Sequence, residues 1–418
     1  MYALVDAVSF YASAEKVFDP SIRNKPVVVL TNNDGCICAV CPIARRLGVP
    51  KFKPYFQVKP FLEKHGVVVR SSNYELYADL SERMMNVINR FCDNQYIYSI
   101  DESFLYFDNY GSYVKDWHEY GHKIRQAVWK ETKLPVGVGF GITPTLSKAA
   151  NHAAKKLSGF NGVAVIDNNK NRNEILKRMN VEDVWGIGNK IAKKLRLEGI
   201  NNAAQLAQQN TKNIRKQFSI VTERTVSELN GIRCLSWDEI QSPKKEVFST
   251  RSFGQRITTK DELRAALVAH ASIVGRKVRR QSSFVKKLLI FASSSPHDEL
   301  YYKQAIVYPF IMPTDNSCEM AQAINNVIDS IYSVGVRFYR CGVGAIELNS
   351  KEFIQPDLFM SDHYNSNLMT CLDKVNHRYG DGTLTIATEG HHEKWQMRRS
   401  FLSPQYTSQW RDIPKIQC

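Results

Sequence analysis

Residues 2–8, YALVDAV, and 96–108, YIYSIDESFLYFD, decide the fold. The first is a short apolar strand carrying an acid, Asp6, near its end. The second holds two β-rich runs, 96–100 and 103–108, parted only by Asp101-Glu102, which reads as a tight hairpin. Upstream of the hairpin, 80–92 (LSERMMNVINRFC) places Leu80, Met84, Val87, Ile88 and Phe91 at helical spacing. Downstream, 114–131 reads as a helix and 135–140, PVGVGF, as another strand. The order is a strand, an insertion of roughly 70 residues, then αββαβ, a split βαβ arrangement. In it the Asp6 strand and the first hairpin strand run parallel, so their carboxyl ends share one sheet edge.

That edge collects Asp6, Asp101 and Glu102. Asp-Glu in a turn is by itself ordinary turn chemistry. An acid inside an apolar strand is less ordinary, because buried acids are rare unless paired. Three crowded carboxylates repel and raise one another's pKa unless a cation compensates. Mg²⁺ is the natural cation, being hard, oxygen-seeking and ready to bind phosphates. Two such ions about 4 Å apart suit in-line phosphoryl transfer.

The βαββαβ pattern recurs over 241–350, as a second α+β unit. Between the two, 166–240 is helix-rich and polar. The tail, 351–418, has eight acids against eight bases and few periodic segments, and it reads as partly irregular. The chain has 418 residues, 43% hydrophobic and 23% charged, which excludes global disorder or fibre and suggests several domains. Its net charge of +15 is unevenly placed. Residues 186–235 hold nine Lys/Arg against three acids, and 241–290 hold twelve against three. Cations concentrated in consecutive modules point to an extended phosphate-binding surface. Trp185-Gly186-Ile187-Gly188 before a basic helix reads as a helix-hairpin-helix turn, whose glycines admit a phosphate to the helix N-terminus.

Nine scattered cysteines do not form a secreted disulfide framework. Only Cys36, Cys38 and Cys41 cluster, and no second Cys/His pair completes a zinc site beside them. No signal peptide or membrane span is expected, so a cytoplasmic protein is.

Asp6 followed by Ser9-Phe10-Tyr11-Ala12-Ser13, together with Ser99-Ile100-Asp101-Glu102, resembles the two catalytic motifs of the Y-family translesion DNA polymerases. Within that family, 31–38 (TNNDGCIC), 71–79 (SSNYELYAD), 184–188 (VWGIG) and 395–399 (WQMRR) resemble the UmuC branch, the catalytic subunits of bacterial DNA polymerase V. The resemblance runs over essentially the whole chain. It implies a right hand: palm 1–17 and 77–165, small fingers 18–76, helical thumb 166–240, βαββαβ little finger 241–350 and tail 351–418.

It further implies that Asp6, Asp101, Glu102 and the Ala7 carbonyl hold two Mg²⁺. Val8 stands where some relatives have a further acid. Tyr11 matches the steric gate that excludes a ribose 2′-hydroxyl, and Phe10 lies beside it. Arg45 and Lys155 match triphosphate-binding positions, although Pro42 replaces the family's tyrosine partner of the arginine. Cys38 and Ala39 match the roof over the nascent base pair. DNA contacts fall on Gly186, Gly188 and Lys190 of the thumb and on Arg251, Arg276, Lys277, Arg279 and Arg280 of the little finger. Gln355, Leu358 and Phe359 resemble a sliding-clamp anchor, with Pro356 a departure from the usual aliphatic residue. The implied partners are primer-template DNA, dNTP, the sliding clamp, a processed UmuD dimer and the RecA filament.

The implied activity is error-prone, template-directed translesion synthesis in the SOS response. A two-metal nuclease or phosphatase would use the same acids but has no need of Tyr11. A non-catalytic DNA-binding scaffold would tolerate their loss. A helix-hairpin-helix glycosylase would lack the two-metal palm.

Overall fold

The computed structural model describes residues 1–108, 110, 113–237, 243–352, 366–390 and 397–414. The chain forms two units, Met1–Ser242 with Arg399–Cys418, and Pro243–Arg398. The segment read from sequence as one tail is thus divided between them.

In the first unit, β1 (Tyr2–Ala7) lies at the middle of a five-stranded sheet. Its neighbours are β6 (Glu102–Tyr106) and β7 (Val136–Gly141), both antiparallel to it. β5 (Gln95–Ile97) extends the sheet beyond β6, and β8 (Val163–Ile166) runs parallel to β7. β5 is therefore parallel to β1 with β6 between them, as a split βαβ requires.

The hairpin is looser than its sequence suggests. β5 ends at Ile97, and Tyr98–Asp101 form the turn. The Tyr98 and Ser99 amides both donate to the Glu102 carbonyl, at 3.0 and 3.1 Å. Asp101 ends the loop, and Glu102 is the first residue of β6, directly opposite Asp6.

Every residue of β1 and β7 is buried, because helices cover both faces of the sheet. On one face, Ala3, Val5, Val138, Phe140 and Val163 pack with α4 (Tyr74–Asn89) and α5 (Trp117–Thr132). Each of these valines and Phe140, fully buried, contributes about 1.5–3 kcal/mol. On the other face lies α6 (Pro144–Lys156). It presses against β7 because Gly137, Gly139 and Gly141 alternate there. A Cβ on Gly139 would stand 2.0 Å from the Asn151 amide nitrogen. This close approach brings one stripe of α6, Lys148, Asn151 and Lys155, to the edge that carries the acids.

The insertion after β1 begins with α1 (Phe10–Glu15). It then forms a three-stranded sheet of β2 (Val27–Leu30), β3 (Ile37–Val40) and β4 (Val68–Ser71), with α2 (Pro42–Arg46) and α3 (Tyr55–Lys64). After β8, the described residues form the α-helices α7 (Asn169–Arg178), α8 (Asn189–Leu197), α9 (Ala203–Ala207), α10 (Thr211–Gln217) and α11 (Ile220–Leu229). Their core is separate from that of the sheet's first face.

The second unit is β9 (Val247–Ile257), α12 (Lys260–Arg280), β10 (Ser283–Ser293), β11 (Lys303–Thr314), α13 (Ser317–Ile331) and β12 (Phe338–Ser350). Its strands pair antiparallel in the order β11-β10-β12-β9, with both helices on one face. A further helix, α14 (Ser366–Tyr379), packs on α12, with Met369 buried beneath it. The expectation of an irregular tail misses this helix.

Candidate active site

Asp6 sits second from last on β1, on the side of the sheet that faces α6, and is 8% exposed. Its Oδ2 lies 2.5 Å from Lys155 Nζ. Burial pushes its carboxyl up to about 6, against the pull of Lys155, and Glu102 and Asp101 push the same way. Opposite it, Glu102 accepts from Lys148 Nζ at 2.9 Å. Lys148 also stands over the rings of Tyr98 (4.4 Å), Trp185 (5.0 Å) and Phe104 (5.6 Å). Asp101 accepts from the Ser99 hydroxyl at 2.6 Å, and its carbonyl accepts from the Ala7 amide at 2.9 Å.

Among the described residues, no three carboxylate, His or Cys side chains gather about one point. Each acid is turned toward a donor from the protein. The donor set nevertheless fits a hard divalent cation. It is all oxygen and lies at one edge, where three carboxylates meet two lysines.

The chain leaves β1 through Ser9, whose φ of 49° is left-handed. That conformation costs a non-glycine residue about 1 kcal/mol or more. The Ser9 hydroxyl donates to the Val40 carbonyl on β3 at 2.9 Å, which ties the turn to the inserted sheet. The turn sends the Phe10 ring into the core, 3% exposed, and leaves Tyr11 at the surface of a cleft of about 340 Å³. Phe10 packs in the core and also lines the cleft beside Tyr11.

Asp6, Asp101 and Lys155 line the floor of that cleft, with Cys38 and Ala39 of β3 and Arg45 of α2 also on its walls. Arg45 donates to the Ser9 hydroxyl at 3.4 Å. Pro42 opens α2 as its first residue, after Cys41, whose sulfur accepts from the Ala44 amide. The clustered cysteines are therefore a strand residue, a helix cap and a loop residue, all free. The Tyr11 ring stacks on Tyr77 at 4.5 Å and 14°, and burial pushes its phenol up to about 12.

Gly186 has φ 86° and turns the chain into α8, for which Gly188 is the N-cap. Gly186, Gly188 and Lys190 are exposed. Trp185 packs its ring toward Tyr98 and Phe104, so this turn is anchored beside Lys148 and Glu102. The sequence motifs assign no role to Lys148 or to Asn151, whose side-chain amide donates to the Leu4 and Gly137 carbonyls at 3.1 and 2.8 Å. The spacing of Lys148, Asn151 and Lys155 along one helix face, above the alternating glycines of β7, was the available signal.

In the second unit the cations separate into two groups. Lys277 and Arg280 are exposed. Arg276 pairs with Asp381, and Arg279 forms two bonds to Asp373 of α14, at 2.7 and 2.8 Å. The Arg279 side chain is only 8% exposed. The assignment of Arg279 to DNA is therefore corrected: it docks α14, and Arg276 is engaged beside it. Arg251 also departs from expectation. It pairs in register with buried Cys341 and faces α12, beside His270. The open face of this sheet carries Arg340, which donates to Thr250 Oγ1 at 3.0 Å and stands over Phe291. Gly342 and Gly344 flatten that face, since a Cβ on either would strike Thr250 or Phe248.

Arg279→Ala is expected to lower the thermal midpoint, at a cost of about 2–3 kcal/mol for a part-buried pair left half-empty. Primer-template affinity should stay near that of the parent. Calorimetry beside a binding titration checks both. Gln355, Leu358 and Phe359 lie outside the described residues.

A sheet edge with three acids, a small inserted sheet over it and a separate βαββαβ unit together define the Y-family DNA polymerase fold. The structure matches a Y-family DNA polymerase chimera of Dbh and Dpo4 with a TM-score of 0.64, at 17% identity, over 84% of this chain and 99% of that one. The chain belongs to the impB/mucB/samB family, whose model matches residues 5–152 and whose C-terminal domain model matches residues 244–358. A domain of unknown function (DUF4113) matches 366–416. Protein UmuC of Salmonella typhimurium LT2 is 39% identical over 100% of both chains, and protein ImpB of Salmonella typhimurium is 39% identical over 99% of each. The activity that follows is that of a DNA-directed DNA polymerase of the UmuC type. No helix among the described residues is long and apolar enough to cross a membrane.

Proposed function

We propose that this polymerase carries out error-prone translesion synthesis in the SOS response, by two-metal-ion nucleotidyl transfer. The observation that supports this reading is the single cleft that brings Asp6 and Asp101 together with Lys155, Arg45, Tyr11 and the small pair Cys38-Ala39. Asp6, Asp101, Glu102 and the Ala7 carbonyl are the ligands for two Mg²⁺, which when bound supply Lewis-acid activation of the primer hydroxyl and neutralise the triphosphate. Lys155 on the floor of the cleft and Arg45 on its wall bind the phosphates. Lys148, held among three rings, orients Glu102. Tyr11 lies beneath the sugar and rejects a 2′-hydroxyl by clash. Cys38 and Ala39 press weakly on the nascent pair, so a distorted template base is tolerated.

Gly186, Gly188 and Lys190 hold the duplex by its phosphates without reading bases. On the second unit, Lys277, Arg280 and the open sheet face around Arg340 are further contacts for DNA phosphates. The protein works in the bacterial cytoplasm at the nucleoid. It is tethered to the sliding clamp through Gln355, Leu358 and Phe359, and acts with a processed UmuD dimer and a RecA filament.

Primer extension on a template with one abasic site tests the reading. With the UmuD and RecA homologues of its host supplied, extension past the site is expected. Extension of the undamaged template that halts at the abasic site on every turn would overturn the translesion assignment.

A further inference from the structure

The last described stretch of the chain returns to the first unit and crosses the two points where the chain enters and leaves the inserted fingers sheet. The Phe401 amide donates to Ser71 Oγ at 2.9 Å, and the Ser71 amide donates to the Phe401 carbonyl at 3.0 Å. The Ser400 amide donates to Asp34 at 2.7 Å. Arg399 grips both carboxylate oxygens of Glu75, at 2.9 and 3.2 Å. On the entering side, the Tyr406 ring stacks on Phe18 at 5.1 Å. Between these points, buried Asn73 caps α4 through its oxygen and donates through its nitrogen to the Ser403 hydroxyl at 2.9 Å and to the Ser403 and Pro404 carbonyls at 3.3 Å.

The first turn of α4 carries Tyr74 and Tyr77, the two tyrosines against Tyr11. Tyr77 is fully buried, and its hydroxyl donates to Glu15 Oε1 at 2.6 Å. Glu15 lies one turn beyond Tyr11 on α1 and is 1% exposed. Its other oxygen stands 3.7 Å from Arg70. Burial raises the Glu15 carboxyl, and the hydroxyls of Tyr77 and Ser403 hold its charged form against that. Ser403 therefore bonds the residue that caps the helix bearing Tyr77, and its hydroxyl helps to keep charged the acid that holds the Tyr77 hydroxyl.

We infer that Arg399–Tyr406 is a strap that positions the sugar gate, with Ser403 and Asn73 as its positioning residues, so that the far end of the chain helps set nucleotide selection at Tyr11. This rests on the reading of Tyr11 as the gate. An isolated structural clamp would favour folding alone. This strap meets α4 at the cap that precedes Tyr74 and Tyr77, so loosening it changes how firmly the ring lies under the sugar.

The test uses the chain ended after residue 398, Ser403→Ala in the full chain, and Tyr11→Ala as the reference. Each is assayed for competition between matched rNTP and dNTP, for KM and kcat with dNTP, and for primer-template affinity. Truncation and Ser403→Ala should each raise the ribonucleotide share about three- to tenfold, the effect of one or two buried hydrogen bonds on the placement of the ring. KM for dNTP should rise, kcat at saturating dNTP should stay within about twofold and DNA affinity should hold, the pattern of a binding geometry loosened without loss of chemistry. A peptide of residues 399–414 added to the truncated chain should restore the parental ratio. If Tyr11→Ala relaxes sugar choice while truncation and Ser403→Ala keep the parental ratio and KM, the strap does not position the gate, whatever their melting temperatures. If Tyr11→Ala itself keeps the parental ratio, the gate assignment falls and this inference with it.

Discussion

Asp101→Asn is expected to lower nucleotide addition at least about a thousandfold, since the carboxylate is proposed as a ligand for cations that would contribute several kcal/mol to the transition state. Its position explains why binding should survive. The Asp101 backbone, not its side chain, holds the Ala7 amide, and the only side-chain bond that changes in the protein is the one from Ser99 among those described. The substitution keeps shape and removes charge, so the sheet edge stays intact. Single-turnover addition of one dNTP, beside a primer-template titration, separates the two effects. A rate within tenfold of the parent at limiting Mg²⁺ would remove Asp101 from the site.

Tyr11→Ala is expected to raise the ratio of rNTP to dNTP incorporation by on the order of a hundredfold, about 2.7 kcal/mol of clash no longer paid by the ribose. The Tyr11 ring is supported on its underside by Tyr77 at 4.5 Å and edge-on by Tyr74 at 6.2 Å. It therefore has little freedom to swing away from a 2′-hydroxyl. Tyr11→Phe keeps the ring and should keep the ratio near the parental value. Competition assays with matched rNTP and dNTP measure both variants. An unchanged ratio in Tyr11→Ala places sugar discrimination elsewhere.

The acid edge was legible in sequence for a simple reason. A short apolar strand run ending near an acid and two β-rich runs parted by Asp-Glu place Asp6 and Asp101-Glu102 at strand ends, and the split βαβ order brings those ends together. The length of the turn was not legible: Ser99 and Ile100 have strand-like neighbours, yet two amides on one carbonyl close a four-residue loop at Tyr98–Asp101. The second βαββαβ unit also read directly from its patterning. What its helix α12 does with its cations did not. Arg276, Lys277, Arg279 and Arg280 form one basic run, and only packing of α14 assigns Arg279 to Asp373 and leaves Lys277 and Arg280 exposed. Charge in a sequence gives its sign but not its partner. The strap at 399–406 had no period to find. Its contacts are bonds between backbone groups and single polar side chains such as Ser71, Asn73 and Asp34, which no hydrophobic pattern announces.

Addition of a single nucleotide, measured with each of the four dNTPs against each of the four template bases in the presence of Mg²⁺, tests the central claim most directly. The parent chain should add the complementary nucleotide preferentially on every template, and Asp6→Asn and Asp101→Asn should add none above background. Addition that ignores the template base, or that persists in both variants, would contradict the assignment of a template-directed polymerase site to the edge of β1 and β6.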